Sequence, residues 1–136
     1  MEEITCEGVL YVVGTPIGNL ADVTLRSLDT LRGVDLIIAE DTRRTLKLLS
    51  HFEISKPIES FNERNSVRKI DKIVELLKTG KKVALVSDAG MPVISDPGAN
   101  LVKKCHLEGI KVAIVPGPSA LTSAVALSGF GGNKFY

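Results

Sequence analysis

Tryptophan is absent, and aromatic residues make up only 4% of the 136-residue chain. A core of stacked rings is excluded, so Val, Ile, Leu and Ala must fill the interior. A dominant charge is also missing, because 17 Lys and Arg against 16 Asp and Glu leave a formal net charge of +1. A domain that grips nucleic acid over a whole face carries a clear basic excess. Any RNA contact here must therefore be local or supplied by another part of the protein. The two cysteines, Cys6 and Cys105, fit no metal-ligand spacing, so no metal site is expected. Isolated thiols suit a reducing compartment. No apolar run approaches the roughly 18 residues of a membrane span. The start, Met1-Glu2-Glu3, is acidic, unlike a secretory signal. These absences predict a cytoplasmic, metal-free protein.

What is present is an ordinary globular balance, with 44% hydrophobic and 24% charged residues. Four continuous aliphatic runs stand out: Val9–Val13, Asp35–Ala39, Val83–Ser87 and Lys111–Val115. A weaker one covers Pro57–Phe61. Continuous runs, rather than strict alternation, predict strands buried on both faces. Helical patterns separate them. Asp22 or Thr24 can cap a helix reaching Arg32. Thr42–Leu49 follows, with Leu46, Leu48 and Leu49 as its apolar side. Asn65 or Ser66 can cap Val67–Thr79, and Gly80 stops it. Asp96-Pro97 opens a helix ending at Gly109, and Ser119–Leu127 is a further small-residue helix. The alternation predicts an α/β fold: a mostly parallel sheet of about five strands with helices on both faces. Residues 1–136 read as one domain. Turn chemistry at Gly131-Gly132-Asn133 and an apolar Phe135-Tyr136 suggest that a second half belongs after it.

Ligands of open α/β sheets bind at the carboxyl ends of the strands, and the unusual residues of this chain cluster there. Gly14–Leu20 follows the first run and Glu40–Thr45 the second. Asp88–Gly98 follows the run at Val83, and Pro116–Ala120 the last. Glycine and proline there let backbone approach a ligand and keep the loop stiff. Neither a dinucleotide fingerprint nor a Walker A loop is present. Each loop alone also has a structural reading: Asp96 as a helix cap, Arg43 and Arg44 as a solvated helix face, His51 and His106 as surface residues.

Taken in order, GTPIGNL (14–20), VTLRSL (23–28), AEDTRRT (39–45), FNERN (61–65), ALVSDAGMPVISDPG (84–98) and VPGPSAL (115–121) resemble the class III, tetrapyrrole-methylase-like methyltransferases. The likeness covers nearly the whole chain, and AEDTR with SDAG-x-P-x-ISDPG resembles the ribosomal-RNA branch. Met91 departs from the threonine usual there, which removes a hydroxyl but leaves backbone contacts. Several expectations follow from the resemblance. The chain is a tetrapyrrole methylase N-terminal domain, lacking the C-terminal domain. S-adenosyl-L-methionine is the cofactor, touched by Pro16, Ile17, Asp88, Gly90, Met91, Ile94, Ser119 and Ala120. The reaction is 2′-O-methylation of a cytidine ribose in 16S rRNA of the small ribosomal subunit. Glu40, Asp41 and Asp88 are the candidates for a general base. Arg43 and Arg44 are candidates for RNA phosphate contacts, and Asn62, Glu63 and Asn65 are weaker candidates for the substrate mouth. A homodimer is implied. Two other readings remain open: the same fold acting on a tetrapyrrole or other small substrate, and a non-catalytic cofactor-binding fragment.

Overall fold

The computed structural model describes residues 8–15, 23–87 and 96–116. The aliphatic runs become strands: β1 (Val9–Gly14), β2 (Leu36–Ala39), β3 (Ile58–Ser60), β4 (Lys82–Ser87) and β5 (Lys111–Val115). All pairings are parallel, in the order β3-β2-β4-β1-β5. Helices α1 (Leu25–Gly33), α2 (Thr42–His51), α3 (Ser66–Lys78) and α4 (Asp96–Leu107) connect consecutive strands. The fold class expected from the sequence is the one observed.

The strands are aliphatic throughout because both faces are covered. Leu10, Val12, Leu36, Ile38, Val83 and Leu85 pack against Ile73, Val74 and Leu77 of α3 and Leu101 and Cys105 of α4. Val13, Ile37, Ala39, Ala84 and Val86 pack against Leu28 and Leu31 of α1 and Leu48 and Leu49 of α2. Successive residues of a strand point to opposite faces, so β1, β2 and β4 each feed both layers. Burying one such aliphatic side chain contributes about 1.5–3 kcal/mol.

Local chemistry sets the helix ends. The Thr24 hydroxyl accepts from the Ser27 amide at 3.0 Å and caps α1; Asp22, the alternative cap, lies outside the described residues. At the end of α3, Gly80 has φ +96°, and its amide donates to the Leu77 carbonyl at 3.0 Å. Gly109 plays the same part after α4, at φ +74°.

Two expectations are corrected. Leu46 is not on the apolar side of α2 but is 49% exposed. Thr45, Leu48 and Leu49 are buried instead, and they share a face at helical spacing that excludes position 46. Nor does Asn65 or Ser66 cap α3 through its side chain. Asn65 is the N-cap by position but makes no capping bond. Its Oδ1 accepts from the Asn62 amide at 2.9 Å, so the side chain closes the preceding turn. The helix expected at 119–127 lies outside the described residues.

Candidate functional site

Parallel register aligns the strands into rows across the sheet. One row at the carboxyl edge runs Ser60, Ala39, Val86, Val13 and Val115. Beyond it, Gly14 stands beside Ser87, and Glu40 follows Ala39. The carboxyl ends of β2, β4 and β1 carry Ala39, Ser87 and Gly14. Small residues at this edge leave room for a ligand against the backbone.

Topology opens the same place. The chains leaving β1 and β2 enter α1 and α2 on one face, whereas the chain leaving β4 enters α4 on the other. β4 lies between β2 and β1. Its carboxyl end is thus flanked on both sides by connections that turn the opposite way, the geometry of a topological switch point. The end of β1 is held firmly. Thr15 is 4% exposed and engaged in a polar contact. The Ser27 hydroxyl donates to the Gly14 carbonyl at 3.4 Å, tying α1 to the strand end.

The two described base candidates differ. Asp41 caps α2: its Oδ1 accepts from the Arg44 amide at 3.1 Å, and its Oδ2 lies 3.9 Å from Arg44 Nε. Its backbone carbonyl accepts from the Thr45 hydroxyl at 3.1 Å. Glu40 is exposed and, among the described residues, makes no side-chain hydrogen bond or ion pair. The structure therefore commits Asp41 to the helix start and leaves the Glu40 carboxylate open. Arg43 and Arg44 follow at the same edge, both exposed.

Asn62 and Asn65 build a turn. Asn62 Oδ1 accepts from the amides of Arg64 at 3.0 Å and Asn65 at 3.2 Å, and Asn65 Nδ2 donates to Ser60 Oγ at 3.2 Å. This arrangement accounts for both side chains structurally and leaves Glu63 exposed beside them. Pro16, Ile17, Asp88, Gly90, Met91, Ile94, Ser119 and Ala120 lie outside the described residues. Thr15, Ser87 and Pro116 lie at the ends of β1, β4 and β5 on the edge just described.

No cluster of His, Cys, Asp or Glu able to hold a metal occurs among the described residues. Cys105 is fully buried in the α3/α4 layer, and burial pushes its thiol up to about 11. No described helix is long and apolar enough to cross a membrane. A recess of about 200 Å³ lined by Tyr11, Asp29, Thr30, Gly33 and Lys82 lies towards the opposite, amino edge of the sheet. Sequence patterns missed that Gly14, Ala39 and Ser87 end neighbouring strands, because recognising it requires the strand order.

Comparison with known proteins agrees with this geometry. Residues 9–135 match the family described as Tetrapyrrole (Corrin/Porphyrin) Methylases. A Thermotoga maritima protein named Ribosomal RNA small subunit methyltransferase I is 70% identical over 128 residues, covering 94% of this chain and 58% of that protein. A Bacillus subtilis protein of the same name is 50% identical over 129 residues, covering 95% of this chain and 44% of its own length. The chain thus spans about half the length of the curated relatives it matches. Two solved structures share the fold at 20% identity: uroporphyrin-III-C-methyltransferase from Thermus thermophilus and diphthine synthase. The first has a TM-score of 0.64 and covers 82% of this chain and 48% of its own. The second has a TM-score of 0.65 and covers 89% and 49%. With a parallel sheet open at the end of β4 and a family match over nearly its whole length, the chain belongs to the tetrapyrrole (corrin/porphyrin) methylases.

Proposed function

We propose that this chain is the N-terminal half of a methyltransferase that uses S-adenosyl-L-methionine and acts on the ribose 2′-hydroxyl of a cytidine in 16S rRNA. The observation that carries the reading is the switch point beside β4, where Gly14, Ala39 and Ser87 end three adjacent strands. That edge suits a flat, mostly neutral ligand held by backbone groups. The 70% identity to a protein named for rRNA methylation supports the substrate class. Pro16, Ile17, Asp88, Gly90, Met91, Ile94, Ser119 and Ala120 are the residues proposed to hold the cofactor.

When bound, S-adenosylmethionine supplies a methyl group already activated by its positive sulfur. The chain's own part is alignment and proton removal. The strand-end loops are proposed to fix the ligand, and good alignment of this kind can supply about 7–11 kcal/mol of a barrier. A ribose hydroxyl is a weak acid, so a carboxylate that takes its proton helps. Of the described candidates, Glu40 is the one with a free carboxylate, because Asp41 is committed to capping α2. Asp88 directly follows Ser87 and is the other candidate. Arg43 and Arg44 are proposed to meet RNA phosphates. We further propose that the full-length protein works in the cytoplasm as a homodimer on the small ribosomal subunit.

Calorimetric titration of S-adenosylhomocysteine into this chain, beside a form extended past Tyr136, tests the cofactor site. Binding to both supports the proposed contacts. Binding to neither overturns the reading. Methyl transfer by the extended form to 16S rRNA, mapped to the modified nucleotide, tests the substrate; transfer to a tetrapyrrole instead would redirect it.

A further inference from the structure

The arginines of this chain are Arg26, Arg32, Arg43, Arg44, Arg64 and Arg68. All but Arg32 lie in the first turn of a helix or just ahead of one. Arg26 is the second residue of α1, Arg43 and Arg44 are the second and third of α2, and Arg68 is the third of α3. Arg64 sits two residues before α3. These helices all start at the carboxyl edge of the sheet, because each follows a strand of one parallel set. Every one of these side chains is exposed. Arg32, in the last turn of α1, is the exception: it pairs with Asp29 at 3.7 Å.

Helix stability does not explain this distribution. The start of a helix is its positive end, which favours acidic side chains and disfavours basic ones. Yet α1 and α3 begin with no acidic residue at the cap or in the first turn, and α2 has only its cap, Asp41, beside Arg43 and Arg44. A local rule broken at two helix starts on one edge marks a functional demand. Six of the ten described lysines are paired or begin strands at the opposite edge. Lys69 and Lys72 pair with Glu59, and Lys78 and Lys104 pair with Glu108. Lys82 and Lys111 begin β4 and β5 at the opposite edge. Arg26, Arg43, Arg64 and Arg68 have no ion-pair partner among the described residues. Arginine, rather than lysine, is the side chain whose planar fork matches phosphate oxygens in pairs.

We infer that the carboxyl edge carries an arginine rim, formed by Arg26, Arg43, Arg44, Arg64 and Arg68, that grips the sugar–phosphate backbone of the RNA substrate. This rests on the RNA reading above and extends its phosphate contacts from α2 to the starts of α1 and α3. The strands between β3 and β1 set a span on the order of 14 Å along the edge before side chains are added. Such a rim reconciles an RNA substrate with a net charge of only +1, because the basic residues that matter are gathered at one edge.

The test titrates the full chain into a short, fluorescein-labelled single-stranded RNA of mixed sequence, by anisotropy, over a series of salt concentrations. Replacing Arg43, Arg64 and Arg68 together by Gln is expected to flatten the slope of log K against log salt by about 2, roughly 0.7 for each phosphate no longer neutralised. Replacing all three by Lys keeps the charge and is expected to restore most of the slope. Replacing Lys81, Lys82 and Lys111 by Gln at the amino edge is expected to leave it unchanged. The thermal midpoint of the arginine variants should hold or rise, which shows that they fold. An unchanged slope in the Gln variant, or an equal flattening in the lysine control, overturns the rim while the RNA reading stands. No binding by the parent chain, or stronger binding to anionic phospholipid vesicles than to RNA, overturns both.

Discussion

At Gly8 a single added carbon is too much. The residue is buried just before β1, and a Cβ built there would lie 2.7 Å from the Leu77 carbonyl carbon and 2.9 Å from its Cα. The obstacle is backbone, and it is backbone already fixed: Leu77 is fully buried, and its carbonyl accepts from the Gly80 amide that ends α3. Gly8→Ala must push β1 and α3 apart, so about 1–3 kcal/mol of stability should be lost. A urea midpoint unchanged from the parent would contradict this packing. Cys105 gives a second residue-scale prediction. Its thiol is sealed among aliphatic side chains, and burial raises it from 9.0 to about 11. In a Cys6→Ser background, it should react with a thiol reagent at neutral pH only as fast as the protein opens. The linked pH effect has a definite sign. The folded state holds this proton more tightly than the unfolded one, so its contribution is full below 9.0 and lost as pH rises through about 11. The parent should therefore lose stability relative to Cys105→Ala across that window, in denaturant melts at matched pH.

Among the elements, α1 depends on one hydroxyl. Thr24 Oγ1 accepts from the Ser27 amide and bonds the buried Ser27 hydroxyl at 2.8 Å. Thr24→Ala should cost about 1 kcal/mol, read as a fall in thermal midpoint, because it orphans an amide at the helix start. The ends of α3 and α4 are clasped by Glu108, whose carboxylate lies 2.6 Å from Lys78 Nζ and 3.5 Å from Lys104 Nζ. The hydrogen bond and charge of Lys78, then Lys104, hold its carboxyl below the ordinary 4.5. A lowered carboxyl stabilises above the unfolded value and loses that effect as pH falls through the folded one. Glu108→Gln should thus melt slightly earlier than the parent at neutral pH, with the gap closing in acid. The strands are legible in the sequence because both their faces are buried, so their aliphatic runs are unbroken. The face of α2 is not. Leu46, Leu48 and Leu49 look equivalent by hydrophobicity, and only the helical angle shows that Thr45 takes the place of Leu46. The cap of α3 escapes the sequence pattern because Asn65 uses its side chain on the turn behind it. At the site, loop composition points to the right edge. The order β3-β2-β4-β1-β5, which puts the switch point beside β4, depends on long-range pairing that no local pattern encodes.

For the whole molecule the deciding feature is that two hydrophobic layers share one sheet. Leu10, Val12, Val83 and Leu85 face α3 and α4, while Val13, Ala84 and Val86 in the same strands face α1 and α2. Neither layer can lose its sheet face without the other losing its backing, so the described residues should unfold as a single unit. Two substitutions test this from opposite sides: Leu31→Ala in the α1 layer and Leu101→Ala in the α4 layer, both at fully buried positions. Each should lower stability by about 2–5 kcal/mol. More tellingly, each should shift one common transition, with amides of β1 and β4 exchanging at the global rate in both variants. If Leu31→Ala released α1 and α2 while α3 and α4 kept their protection, the layers would be separable. The carboxyl edge would then be a seam between two units rather than the rim of one. The proposed site needs the second arrangement. Gly14, Ala39 and Ser87 end β1, β2 and β4, and only a sheet that holds together from both faces keeps those three ends in register for a ligand.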